Sequence, residues 1–507
     1  MSSVPEGRRG SRVEVCPLSL QQIGQKFWLQ TLRGWLRLTP EPAGLWQLQR
    51  YLAQLPAALR AEMLHTALAP ADTRDQLTNT ALALLSAEVV VHRAVYLSFP
   101  RPGQPPAADL RLVLRHGDGL RHLTVYVPED GAETRRLLRE LTLTCGRLRR
   151  LQLLGATDAL LKVVSWQCPL LQELDVSGCS GVTDQGLRHL AVAAARREQP
   201  QPPPLRRLGL QKTEVSVDGV LELLETLPLL ESVACSQTVA LLEQLDVPAT
   251  FGLRELPEFQ ATGAHLRNFA ALCPHLSSVT LVFQEAGVSL QDLALLPHLQ
   301  HLTFRCKEPY LLTQQELGAT LWRLGHQLRT LAISGDVYET IDVAQVAVYC
   351  PGLEVLKLPS LTLSDGEAAR ALTAGRGPLL DRLHTFEYDC LSGVTASWGR
   401  DVAAEAAALR ALLRRAGRLT TVRCRPFPLV DDDLETILEH NPLAELEVLE
   451  IGPAQLGLRG ASTLLRRCPS LCRLGRVKTW HGIGLLDIVA LRSLARALSR
   501  ANQVRIL

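Results

Sequence analysis

Residues 171–190 read LQELDVSGCSGVTDQGLRHL. Leu171, Leu174 and Val176 give the spacing of a short strand with one buried face, and Leu187 and Leu190 begin a helical period. Cys179 falls between the two, where a small apolar side chain fits a turn. Twenty residues therefore encode a strand, a turn and the opening of a helix.

The strand half returns along most of the chain. Cys168-Pro169, Cys273-Pro274, Cys350-Pro351 and Cys468-Pro469 each read as the end of a helix, and two residues past the proline comes a new leucine, at Leu171, Leu276, Leu353 and Leu471. Leu227-Pro228 and Leu296-Pro297 play the same part. Further strand cores begin at Leu120, Leu148, Leu205, Leu299, Leu328, Leu383 and Leu446, with weaker copies at Leu230, Leu253 and Leu419. The step is 23 residues from Leu276 to Leu299, 29 from Leu299 to Leu328, and 25 from Leu328 to Leu353. Helix openings recur as well, at Val215-Ser216, Val288-Ser289, Leu312-Thr313, Leu363-Ser364 and the acidic run Asp431-Asp432-Asp433, each with a side chain suited to cap a first turn. Three consecutive acids suggest a metal site, but at a helix start they complement the dipole.

The pattern resembles the cysteine-containing subtype of leucine-rich repeat, whose period is about 20–29 residues. That resemblance implies an α/β fold, a solenoid with a curved parallel sheet and outer helices, here over residues 91–507. It also implies that Thr183 and Asp184 open a helix and that Gly186 permits close packing.

A solenoid stacks many small cores, so 507 residues at 47% apolar composition need no division into several globular domains. The 54 basic and 51 acidic residues are scattered. Arg147, Arg149-Arg150 and Arg206-Arg207 interleave with strand leucines and read as solvated strand positions, so no basic stripe of the kind nucleic acid requires is expected. Cysteines at repeat junctions read as buried free thiols, which together with the polar, basic stretch 1–15 predicts a cytoplasmic or nuclear protein without a secretory signal. The apolar run 82–91 contains Glu88 and is too short to span a bilayer, so no membrane partner is expected.

Residues 1–90 lack the repeat and carry helical spacing, from Leu20, Ile23 and Phe27 to Leu55, Leu59, Met63 and Leu64. One reading is a capping unit over the apolar end of the stack. In the other, Leu55-Pro56-x-x-Leu59-x-x-x-Met63 resembles the cullin box of receptors that join Elongin B and C to a cullin. Ser19-Leu20-x-x-x-Gly24-x-x-x-Trp28 is similar to the Elongin-binding box, with Gly24 and Trp28 where that family has Cys and a smaller aliphatic residue. The same helix also resembles an F-box, which docks a Skp-type adaptor. Both boxes imply an amphipathic helix set in an adaptor groove, with Leu20, Leu55, Pro56, Leu59 and Met63 as contact residues. The order of parts implies a substrate-recognition subunit of a cullin-RING E3 ubiquitin ligase that holds a protein substrate on the repeats. The alternative is a scaffold or inhibitor whose N-terminal helices only cap the solenoid.

No phosphate-binding loop, nucleophile elbow or zinc-protease helix occurs, so a non-catalytic chain without cofactor is expected. Cys468-x-x-x-Cys472 lacks the second ligand pair of a structural zinc site. His275, His298 and His301 read as solvated or inner-face residues, and Trp166 and Trp322 as core or convex packing. Residues between the buried strand leucines point away from the core, which nominates Glu173, Asp175, Thr280, Thr303, Arg305, Lys357, Glu387, Arg423, Arg425 and Glu450. Glu173, Asp175, Arg305, Lys357, Glu387, Arg423 and Arg425 are the charged residues expected to meet a partner.

Overall fold

The computed structural model describes residues 54–56, 93–98, 110, 114 and most of 120–506, apart from 128–129, 196–204, 237–249, 261–262, 284–289, 307–311, 336–338, 375–378, 391–400 and 499–503. The helical reading of Leu20, Leu59 and Met63 and the domain boundary near residue 90 lie outside the described residues.

The chain is a leucine-rich repeat solenoid. Sixteen strands form one sheet in which each strand pairs with the next in sequence order, and every pair is parallel. The first strand, β1, is Arg93–Ser98, followed by β2 (His122–Tyr126), β3 (Arg150–Leu154), β4 (Glu173–Asp175), β5 (Arg207–Leu210), β6 (Ser232–Cys235) and β7 (Glu255–Gln260). Then come β8 (Ser278–Phe283), β9 (His301–Cys306), β10 (Thr330–Gly335), β11 (Val355–Leu358), β12 (Thr385–Asp389), β13 (Thr421–Arg425) and β14 (Val448–Ile451). Strands β15 (Ala454–Gly457) and β17 (Trp480–Gly482) form a separate parallel pair, while β16 (Arg473–Gly475) and β18 (Arg505–Ile506) end the main sheet. Between strands run α1 (Ala132–Thr144), α2 (Asp158–Gln167), α3 (Asp184–Ala195), α4 (Val217–Thr226), α5 (Gly263–Leu272), α6 (Gln314–Leu324) and α7 (Val343–Tyr349). The later helices are α8 (Glu367–Thr373), α9 (Val402–Arg415), α10 (Asp431–His440), α11 (Leu458–Arg467) and α12 (Leu485–Ala497). Packed helices need about 8–10 Å of separation and strands only about 4.8 Å, so the sheet lines the inside of the curve.

Register is fixed by one device repeated at each step. A carbonyl just before a strand accepts two consecutive amides from the following repeat: Arg149 O takes Gln172 N at 2.8 Å and Glu173 N at 2.9 Å, and Glu447 O takes Cys472 N and Arg473 N. The inward leucines of successive strands then stack into one continuous core from Leu110 to Ile506. Phe386 and Tyr388, which replace aliphatic residues in the copy beginning at Leu383, are buried with it.

The Cys-Pro junctions terminate helices as their sequence implied. Cys168, Cys350 and Cys468 are the C-cap residues of α2, α7 and α11, and Cys168 N reaches Val164 O at 3.0 Å before the chain turns into the strand. Burial pushes the Cys273 and Cys350 thiols up to about 12, so both are inert neutral groups at physiological pH. Cys179 does more than fill a turn: its sulfur accepts from Ala156 N and donates to Leu153 O, both at 3.2 Å. Among the eleven described cysteines no two are joined by a disulfide, and of these only Cys472 is exposed.

Helix openings follow the sequence in part. Ser216 and Thr313 are N-caps that accept from Gly219 N and Glu316 N. Asp431, Asp432 and Asp433 fill the first turn of α10, where the Asp433 carboxylate accepts from Val430 N. Ser364 departs from expectation, because α8 begins later, after Gly366, and the Ser364 hydroxyl instead donates to Asp342 of the preceding repeat. Trp166 and Trp322 lie on helices but are exposed, so neither belongs to the core. Among the described residues no helix is long and apolar enough to cross a membrane.

Candidate functional site: the inner face of the sheet

Because strand side chains alternate, the residues between the buried leucines form rows across the inner face. One row passes through Arg150, Glu173, Arg207, Ser232, Glu255, Ser278, His301, Thr330, Val355, Thr385, Thr421, Val448 and Arg473. The neighbouring row carries Gln152, Asp175 and Gly209 at one end and Ala332, Lys357, Glu387, Arg423 and Glu450 at the other.

Charge in these rows alternates from strand to strand. In the N-terminal half Arg150 pairs with Glu173 at 2.9 Å, Arg207 lies 3.6 Å from the other Glu173 oxygen, and Arg207 also pairs with Glu255. In the C-terminal half Lys357 pairs with Glu387 at 2.9 Å, Arg423 with Glu387 and with Glu450 at 3.2 Å, and Arg473 with Glu450 at 2.6 Å. Arg425 stands 3.7 Å from Asp389 two residues further along the strands. Such partly exposed pairs each add little to stability. Their consequence is that each cation of the two ladders already touches an anion, leaving a face that is polar without a strong field of either sign.

Glu387 is the hinge of the second ladder. Burial opposes its ionisation, but the hydrogen bonds and charges of Lys357 and Arg423 outweigh it and hold the carboxyl below its ordinary value. Arg423 is affected in the opposite sense: burial pushes it down, and Glu387 and Glu450 more than compensate, so it stays protonated.

The first ladder borders a trough of about 630 Å³ whose lining includes Gln152, Asp175, Gly209, Ala234 and Arg305. Its floor is low because Gly209 and Ala234 carry almost no side chain. A Cβ at Gly209 would come within 2.3 Å of Asp175 Oδ1, so glycine there lets the Asp175 carboxylate lie along the sheet. That carboxylate accepts from Gln152 Nε2 at 3.0 Å and from Ser177 N at 3.0 Å. Between the ladders lies a hydroxyl-rich window of Ser278, Thr280, Thr303 and Thr330, where His301 Nδ1 sits 2.9 Å from Thr330 Oγ1.

The ten inner-face residues singled out in the sequence thus fall into groups. Glu173, Asp175 and Arg305 line one trough, Lys357, Glu387, Arg423 and Glu450 make one ladder, Arg425 pairs with Asp389 beside that ladder, and Thr280 and Thr303 are paired neighbours between trough and ladder. Sequence reasoning missed Arg150, Arg207, Glu255 and Arg473, which complete the ladders. Arg150 and Arg207 occupy the same offset from their strand leucines as Glu173, and that offset was the available signal. His275 and His298 are not on this face; their rings stack 6.2 Å apart at the turns preceding β8 and β9. Among the described residues no group of three or more His, Cys, Asp or Glu is placed to hold a metal ion.

No family model matches the chain, and no curated protein matches it. Solved structures similar to it include an internalin from Listeria monocytogenes, 15% identical over 78% of this chain and 93% of that one, with a TM-score of 0.32. The yeast Rad7 and Elc1 complex is similar at 12% identity over 88% of this chain and 94% of that one, with a TM-score of 0.42. A leucine-rich repeat protein from Leptospira interrogans is similar at 15% identity over 88% and 98%, with a TM-score of 0.31. At these identities the likeness is one of fold, and it is to leucine-rich repeat proteins.

Proposed function

We infer that this chain is a protein-binding solenoid that serves as the substrate-recognition subunit of a cullin-RING E3 ubiquitin ligase. The observation that carries the binding role is the inner face: a continuous sheet surface whose charges alternate strand by strand and which contains a trough beside Asp175. Paired charges at a rim with a neutral, hydroxyl-bearing centre suit a folded protein surface, where polar complementarity sets specificity more than it sets affinity. The chain itself is non-catalytic in this reading, and the ligase supplies the chemistry.

The ligase role is supported by the N-terminal box formed by Leu55, Pro56, Leu59 and Met63 together with Leu20, ahead of repeats of the cysteine-containing kind. A helix presenting Leu59 and Met63 would enter the groove of a Skp-type adaptor or of Elongin, which in turn holds the cullin. Mixing the purified full chain with each adaptor separately and resolving the products by size-exclusion chromatography tests this. A stable complex with one of the two is expected. Failure of both to co-elute with a folded chain would contradict the ligase assignment and leave the scaffold reading.

A further inference from the structure

The loop edge of the solenoid, where helices turn into strands, carries a cleft away from the inner face. The turn before β12 contributes Asp381 and Arg382, and the turn before β13 contributes Gly417 and Arg418, with Arg415 at the end of α9 beside them. These five residues line a cleft of about 450 Å³. Unlike the cations of the inner-face ladders, Arg382 and Arg418 form no ion pair among the described residues, and both are exposed. Three arginines and one aspartate are among the lining residues, a formal excess of two positive charges. Nothing lies within 4 Å of where a Gly417 Cβ would be, so the space beside the arginines is open.

The width of this positive region limits what it can hold. The residue before the first strand leucine is Gly352 in the repeat preceding β11 and Glu445 in the repeat preceding β14. The basic turn positions therefore span two adjacent repeats and stop at an acid on one side and a glycine on the other. Neighbouring strands are about 4.8 Å apart, which is room for one anionic group and not for the successive phosphates of a nucleic acid. A phosphate monoester carries about −1.5 to −2 charges at neutral pH, which matches the excess in the cleft, and its oxygens accept the paired donors of arginine. A carboxylate carries half that charge. We propose that this cleft binds a single phosphate group on a side chain of a partner polypeptide. The proposal does not depend on the ligase assignment.

Phosphorus NMR of inorganic phosphate and of O-phosphoserine, titrated against the full chain at constant ionic strength, tests it. Both resonances should broaden saturably. Binding should weaken about tenfold or more when Arg382→Gln and Arg418→Gln are combined, since a hydrogen bond to a charged group contributes on that scale. Gly417→Glu should have the same effect, because it fills the open space with a like charge. Gly417 does not have a positive φ, and these turn positions are exposed, so both variants should melt at the temperature of the unmodified chain. Equal broadening in the parent and both variants would overturn the proposal. So would glutamate competing as strongly as phosphoserine, or a short single-stranded RNA binding more tightly than either through the same arginines.

Discussion

The Asp158 carboxylate, in the first turn of α2, accepts from both Thr183 N at 2.8 Å and the Thr183 hydroxyl at 2.6 Å, at the start of the next repeat's helix. The relation is passed along the stack. Asp184 holds Ser216 N and its hydroxyl at 2.7 and 2.6 Å, Thr157 donates to Asp130, and Gly457 N donates to Asp431 at 2.9 Å. Each of these four helix starts, those of α2, α3, α4 and α11, is thus fixed by an acid from the repeat before it. Asp158→Ala should lower stability by about 1–2 kcal/mol, measured by denaturant unfolding.

Glycine makes that cap possible. A Cβ on Gly186 would meet Asp158 Oδ1 at 2.4 Å and Leu161 Cδ1 at 2.8 Å, and one on Gly219 would meet Asp184 Oδ1 at 2.2 Å. Gly186→Ala should therefore destabilise by about 1–3 kcal/mol although alanine favours helix. In the Asp158→Ala background much of that cost should vanish, because the clashing oxygen is gone. Additive losses in the double variant would show that the two residues act separately.

The second ladder should set part of the acid limit of stability. The folded Glu387 carboxyl lies below its ordinary value, so its contribution is complete above the unfolded carboxylate range and is lost as pH falls through the folded value. Glu387→Gln should lower stability at neutral pH by about 1 kcal/mol and flatten the decline between neutral and acid pH. Unfolding curves collected across that range check both effects.

The C-terminal end of the stack depends on Trp480, which is buried with its indole Nε1 donating to Ile451 O at 3.0 Å. Trp480→Ala should cost about 3–5 kcal/mol. Trp480→Phe should recover most of the packing but leave the carbonyl without its donor. Circular dichroism melts of the two variants should rank them in that order.

Much of this was legible in the sequence because the repeat has a fixed grammar. Leu171, Leu174 and Val176 announced a strand, Cys168-Pro169 a helix end, and the Thr183-Asp184 pair with Gly186 a helix start, and all three stand so in the fold. What was not legible depends on neighbours one repeat away. Nothing local tells that Asp158 caps Thr183 instead of its own helix, or that Arg207 bridges Glu173 and Glu255 across 34 and 48 residues. The β15 and β17 pair was missed for a related reason: it comes after the Leu-x-x-Leu-x-Ile core starting at Leu446, outside the repeating pattern.

The most direct test of the central claim is quantitative recovery of a Skp-type adaptor or Elongin with the full chain and with the Leu59→Ala, Met63→Ala double variant, alongside the melting temperature of each. Alanine keeps helix propensity at both positions, so an adaptor-docking face predicts loss of the adaptor from the variant with little change in melting temperature. A face that packs on the first repeat predicts the reverse, a loss of about 2–5 kcal/mol per truncation. A clear fall in melting temperature, with neither adaptor recovered by the unmodified chain, would contradict the account.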